Sequence, residues 1–207
     1  LPTGALPIAT GGHDVPVLAA LLLSFALAAA GRPAVAGLAG AAALAMRQTS
    51  ILALPFVMAL VPGARRGRTV AASLLPALAL TLPFLLWDPG AFVEDVVRFP
   101  LGLGTGLSSA GMPTLGSLLI EAAPTARTGI TIGLVVAIVG VTGALLGIRP
   151  PRTAATATAR AAVAFATAIA LAPAARFGYV VYPLSLLAWA LAFSRGDRAD
   201  RSDPASP

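Results

Sequence analysis

Nineteen consecutive residues, 69–87, carry no charged side chain. As a helix they would run about 28 Å at 1.5 Å per residue, close to the hydrocarbon thickness of a bilayer. Further apolar runs lie at 15–30, 34–62, 128–148, 158–172 and 177–193, so the pattern recurs along the chain. A soluble domain carries about a quarter charged residues on its surface. Here the fraction is 11%, with 57% hydrophobic residues and a mean hydropathy of +0.89. These features predict an all-α, polytopic transmembrane helix bundle of about six to seven hydrophobic segments, surrounded by membrane lipids.

The other bulk features exclude more than they assign. The 207 residues contain no cysteine and one histidine, which removes disulfides, thiolate metal sites and histidine clusters; no metal and no cofactor is expected. All 14 basic residues are arginine, scattered and not gathered in a stripe, so the net charge of +6 does not point to nucleic acid. Gly102, Gly104 and Gly106 lack the strand-to-helix setting of a nucleotide fingerprint. The chain opens at Leu1 without a basic stretch before its first apolar run, which argues against a signal peptide and for the C-terminal part of a larger membrane domain. One transmembrane domain, 1–193, and a polar disordered tail, 194–207, are expected.

Segment 34–62 is too long for one crossing, about 43 Å as a single helix. Arg47-Gln48-Thr49-Ser50 interrupts it, and two short helices, 34–46 and 49–62, are the preferred reading. Such broken helices are tolerated when buried in protein or lining a cavity. Between 88 and 127 lies a mixed loop in which Phe92, Val96, Val97, Phe99 and Leu101 alternate with charges, the pattern of an interfacial helix. Leu115–Ala122 is a second candidate. The positive-inside rule puts 31–33, 63–68, 149–157 and the C-terminal tail in the cytoplasm. The N-terminal stretch, the Arg47 break, the 88–127 loop and the turn at Arg176 then share the opposite face.

That face collects the polar groups. Arg47 and Arg176 sit at or inside the membrane boundary, where a charge costs roughly 2.5–3.5 kcal/mol on insertion scales and marks a candidate site. A planar guanidinium suits phosphate; the alternative is snorkelling or pairing with a carboxylate. Asp14, just before Val15-Pro16, reads as a helix N-cap or as a catalytic or substrate-contacting group. His13 reads as a loop residue or a base in contact with substrate. Asp88 before Pro89-Gly90 starts a turn. Glu94 and Asp95 are adjacent and would not face the same way on a helix; they read as a solvated face or, less economically, as acid/base or metal groups. Tyr179 and Tyr182 read as an interface belt or a platform for a sugar.

Four stretches carry a resemblance: Gly11-Gly12-His13-Asp14-Val15-Pro16-Val17; Met46-Arg47-Gln48-Thr49; Leu82-Pro83-Phe84 through Trp87-Asp88-Pro89-Gly90-Ala91-Phe92; and Arg176-Phe177-Gly178-Tyr179 to Tyr182-Pro183 with Trp189. In this order they resemble the C-terminal part of polytopic glycosyltransferases of the GT-C class, most closely the family-87 mannosyltransferase-like membrane proteins of bacteria. In that family a Lys-Gln-Thr often stands where this chain has Arg47-Gln48-Thr49. The resemblance implies transfer of a sugar, with mannose the leading candidate, from a polyprenyl-phosphate donor on the extracytoplasmic face, as part of cell-envelope synthesis. It implies a donor-phosphate site at Arg47, Gln48 and Arg176, substrate contacts at His13, Tyr179 and Tyr182, and an acceptor or catalytic role for Asp14. The family's catalytic acid residue normally lies in an earlier extracytoplasmic loop. A transporter or flippase, with its site at the Arg47 break, and a non-catalytic membrane scaffold are the alternatives.

Overall fold

The computed structural model describes residues 14–104 and 112–202, with side chains through Arg195. Among them the architecture is all helical, joined by short turns and one isolated bridge between Met112 and Ala175. Helix α1 (Asp14–Ala29) and α2 (Pro33–Met46) form an antiparallel pair. A 3₁₀ turn (Gln48–Leu52) and the short α3 (Leu54–Leu60) follow. Next come α4 (Gly63–Trp87), α5 (Pro89–Val93) with a π-helical turn (Glu94–Arg98), and α6 (Leu115–Ala122). The chain closes with α7 (Arg127–Gly147), α8 (Ala154–Leu171), a 3₁₀ turn (Phe177–Val180) and α9 (Val181–Ser202).

Four stretches, Gly63–Trp87, Pro124–Gly147, Ala154–Leu171 and Phe177–Arg195, are long and apolar enough to cross a membrane. The three remaining apolar pieces, Asp14–Ala29, Pro33–Met46 and Gln48–Leu60, are shorter. The core is built largely from the shorter ones. Val17, Leu21 and Phe25 of α1 meet Phe56 and Val57 of α3, with Ala157, Ala161 and Phe165 of α8 and Leu186 of α9 around them. The long α4 and α7 have only 17% of their apolar windows buried and turn Leu78, Leu80, Phe84, Val136 and Val139 outward. An outward apolar surface of this kind is stable against lipid, not water.

The break in 34–62 is real and its backbone is resatisfied. Arg47 is extended (φ −155°, ψ 116°), so the helical ladder stops at Met46. Its N–H still reaches the Ala43 carbonyl at 2.9 Å, and the Ser50 hydroxyl donates to that same carbonyl at 3.1 Å. Ser50 N–H then bonds the Arg47 carbonyl at 3.0 Å and restarts the chain as a 3₁₀ turn. Hydrogen-bonding groups freed by a break must find partners inside the protein when no water is near.

The α1–α2 turn has a similar local logic. Gly31 takes φ +71°, which a side chain disfavours, and its N–H bonds Ala28 while Arg32 N–H reaches back to Leu27. That bond pair is the Schellman arrangement, and Pro33 then opens α2 with its φ preset. Small residues let α2 and α4 approach closely: a β-carbon on Gly37 would lie 2.6 Å from the Thr69 carbonyl oxygen and 2.7 Å from the Ala72 β-carbon.

Two boundaries differ from the sequence reading. Residues 63–68, expected as a basic loop, form the first turns of α4: Pro62 precedes them, arginine is a good helix former, and Arg66 Nε donates to the Val61 carbonyl at 3.0 Å. The last helix continues to Ser202, through most of the segment expected as a tail. Leu115–Ala122 is helical as expected, held by reciprocal Thr114 and Ser117 bonds.

Gly37→Val should lower stability by about 1–3 kcal/mol, since neither the Thr69 carbonyl nor the α4 backbone can yield. Gly67→Ala, in open space on the same helix pair's outer side, should be neutral or stabilising by up to about 1 kcal/mol. Thermal unfolding in detergent compares the two; equal midpoints for Gly37→Val and the parent chain would refute the close α2–α4 contact.

Candidate functional site

Asp14 is the first residue of α1 and is 8% exposed, an unusual position for a carboxylate in an apolar bundle. Its Oδ1 takes two partners. Arg47 Nη1 lies 2.6 Å away, and the Tyr182 hydroxyl donates to it at 2.9 Å. The chain positions 14, 47 and 182 are thus joined at one point, by the start of α1, the break after α2 and the first turn of α9. Gly178 lies against the other oxygen: a β-carbon there would be 3.9 Å from Asp14 Oδ2.

The aromatic residues complete the support. Arg47 Cζ lies 4.8 Å from the Tyr179 ring centroid, a cation–π arrangement. The Tyr182 ring stacks on Phe165 of α8 at 5.3 Å with the planes 8° apart. Tyr182 is 2% exposed, so its hydroxyl is committed to Asp14 and its ring to the core. The arginine side chain retains 25% of its exposure, against 11% for Asp14. The charged pair is therefore shielded on the Asp14 side and open on the Arg47 side.

What Arg47 opens onto is a cavity of about 310 Å³. Arg47, Gln48 and Thr49 come from the break, Arg176 and Tyr179 from the turn before α9, and Phe165, Ala168, Ile169 and Ala172 from the end of α8. Asp95, Phe99 and Pro100 close it from the 88–104 segment. The size is at the lower end of small-molecule sites, roughly 300–1,000 Å³, and apolar walls with a few convergent polar groups are the usual makeup of such sites.

The 88–127 region reaches this end of the bundle through backbone contacts. Met112 N–H bonds the Ala175 carbonyl at 3.2 Å, and the Thr114 hydroxyl donates to the Ala172 carbonyl at 2.6 Å. Gly116 packs so closely on the Leu171 and Ala172 carbonyls that no β-carbon could be placed there. Gly102, at φ +67°, brings the segment against Pro173.

Of the residues singled out in the sequence, Arg47, Gln48, Arg176, Tyr179 and Tyr182 line one cavity. Asp14 does not line it; it stands behind Arg47. The N-cap alternative for Asp14 is replaced by a first-turn position whose carboxylate serves Arg47 and Tyr182. His13 lies outside the described residues. Asp88 caps α5 by accepting from Ala91 N–H at 2.9 Å.

The structure separates Glu94 from Asp95. Glu94 pairs with Arg98 at 3.5 Å, whereas Asp95 faces the cavity. The sequence did offer a partial signal: the Glu94–Arg98 spacing marks one helix face, and Asp95 must point elsewhere. Thr49, Phe99 and Phe165 also line the cavity and carry no sequence signal of their own. Arg160, within the 158–172 run, donates to the Leu145 carbonyl at 2.7 Å and so satisfies an end of α7. Among the described residues no three histidine or acidic side chains come together. No family model, curated protein or solved structure matches the chain.

Tyr182→Phe should cost about 1.5–3 kcal/mol, the worth of a hydrogen bond to a charged acceptor. Arg47→Ala should cost more, about 3–5 kcal/mol, because it strands Asp14 in the bundle. Asp14→Asn combined with Arg47→Gln should recover part of that loss. A double-mutant cycle read by detergent unfolding measures the coupling, and additive losses would show that the pair does not interact.

Proposed function

We propose that this chain is a membrane-embedded glycosyltransferase, or the donor-binding part of one, that takes a hexose from a polyprenyl-phosphate donor. The observation that carries the reading is one cavity holding two guanidinium groups, Arg47 and Arg176, between apolar and aromatic walls at one end of a membrane-type bundle. A polyprenyl-phosphate sugar has matching parts: an anion for the arginines, a pyranose for the Tyr179 face, and an isoprenoid chain for the surrounding lipid. The four stretches that resemble family-87 mannosyltransferase-like proteins support the same reading, with mannose the expected sugar. The cavity end would then be extracytoplasmic, and the C-terminus cytoplasmic, as the arginine distribution favours.

On this reading the arginines act on the leaving group. As the bond from the anomeric carbon to the phosphate oxygen lengthens, negative charge grows on the phosphate. Guanidinium groups fixed beforehand stabilise that charge without reorganising. Arg47 meets this requirement through Asp14, Tyr182 and Tyr179, which hold it from behind and beside. Asp14 and Tyr182 are then positioning residues, and Gln48 supplies an amide to the same phosphate.

The break at Arg47 also suits a transporter, whose substrate sites form at interrupted helices. Proteoliposomes distinguish the two. With a short-chain polyprenyl-phosphate hexose, transferase function predicts release of polyprenyl phosphate; movement of the intact lipid between leaflets without release supports transport. Arg176→Gln should weaken binding of farnesyl phosphate about tenfold or more. Unchanged affinity in that variant would remove Arg176 from the donor site.

A further inference from the structure

We propose that the arginines at the start of α4, together with Arg32, hold the headgroup of an anionic phospholipid at the end of the bundle away from the cavity. This site is independent of the glycosyl-transfer reading. Arg65, Arg66 and Arg68 stand on the first turns of α4, and Arg32 immediately precedes α2. Gly37 lies against Thr69 and Ala72, and Gly40 against Ser73, so α2 and α4 run side by side in the same direction. Both helices therefore begin at one end of the bundle, which brings Arg32 to the level of the α4 arginines. All four are exposed. Among the described residues the side chains of Arg32, Arg65 and Arg68 have no hydrogen bond or ion pair, and Arg66 donates its Nε–H to the Val61 carbonyl.

The described part of the protein supplies no counter-charge here. Arg65 and Arg68 share a helix face, where like charges repel. The acidic side chains of the described residues stand elsewhere. Asp14 opens α1, whose far end leads to Arg32. Asp88 follows the last residue of α4, about 30 Å from Arg68 at 1.5 Å per residue. Glu94 pairs with Arg98, Asp95 lines the cavity, and Glu121 lies on α6, whose Gly116 packs on the cavity end of α8. Four converging guanidinium groups are thus left for an anion from outside the bundle.

The surface beside the arginines decides which anion. Residues 69–87 carry no charge, so the stretch suited to hydrocarbon begins next to Arg68. There Val35 and Leu38 of α2 and Val70, Leu74 and Leu75 of α4 are exposed. A phospholipid matches both parts: its phosphate meets the guanidinium groups, and its acyl chains lie along the apolar side chains. Basic clusters beside a membrane helix attract anionic headgroups in this way. A zwitterionic headgroup carries its own cation, which cancels much of the attraction.

The test measures equilibrium binding of a short-chain phosphatidylglycerol to the full chain in nonionic detergent at low salt. Short-chain phosphatidylcholine and inorganic phosphate are measured alongside. A basic residue beside an anionic headgroup is worth about fivefold in affinity, so phosphatidylglycerol should bind about tenfold or more tightly than phosphatidylcholine. For the same reason Arg65→Gln with Arg68→Gln should weaken phosphatidylglycerol about tenfold or more. Arg149→Gln with Arg152→Gln removes the same charge from exposed residues of another turn and should leave binding nearly unchanged. All four side chains are exposed, so neither double variant disturbs the core. Equal binding of the two lipids by the parent chain overturns the proposal, and so does parental affinity in Arg65→Gln with Arg68→Gln. Equal losses in the two double variants also overturn it, by reducing the effect to net charge. Ready displacement of the lipid by inorganic phosphate gives the arginines to a free anion and removes the phospholipid from the site.

Discussion

A guanidinium inside an apolar bundle has to be matched, and the match between Arg47 and Asp14 fixes much of what surrounds it. The pair requires the start of α1 and the end of α2 to lie together, which the Gly31 turn permits by folding the two helices back on each other. It requires α2 to stop where Arg47 can turn its side chain toward Asp14, and the extended backbone at Arg47 provides that. It also draws in α9, because Tyr182 occupies the remaining approach to the same oxygen. One carboxylate thus joins α1, the end of the neighbouring α2 and the distant α9.

The rest of the packing follows from where such a contact can survive. A broken helix with freed backbone groups is tolerable when other helices surround it, and α3 is indeed among the most enclosed elements, with Phe56 and Val57 fully buried. The long helices α4 and α7, whose backbone ladders are self-sufficient, take the outside. Pro76 and Pro83 fall within α4 without ending it. The bundle therefore sets the short α3 inside and leaves the long, regular α4 and α7 largely outside.

Composition and run length were enough to read the helical membrane class, the number of apolar segments and the break at Arg47, because each depends on local properties. Run lengths alone put 34–62 beyond a single crossing, and the polar Arg47-Gln48-Thr49-Ser50 marked the place. Element edges were less legible. The arginines at 65, 66 and 68 read as a loop because charge was taken to mean exposure to water, yet an exposed helical turn carries charge equally well. The cavity was legible only as a list of polar residues on one face. Which of them line it depends on contacts between chain positions more than a hundred apart, such as Tyr182 with Asp14, and no local pattern encodes those. The burial of Asp14 against Arg47 is likewise a tertiary fact.

The distribution of carboxylates follows from this geometry. An anion site needs its arginines preorganised, and each arginine needs a counter-charge to be held in an apolar bundle. A counter-charge inside the cavity would compete with the ligand. The structure resolves the conflict for Arg47 by setting Asp14 behind it, outside the cavity lining, so that the guanidinium is oriented by one side and exposed on the other. Tyr182 supports the arrangement by donating to the same Asp14 oxygen, and Phe165 stacks on the Tyr182 ring. The carboxylate that lines the cavity, Asp95, comes instead from a separate segment that Gly102 brings against Pro173. The carboxylate that orients the arginine and the carboxylate that lines the open face thus stand on different elements.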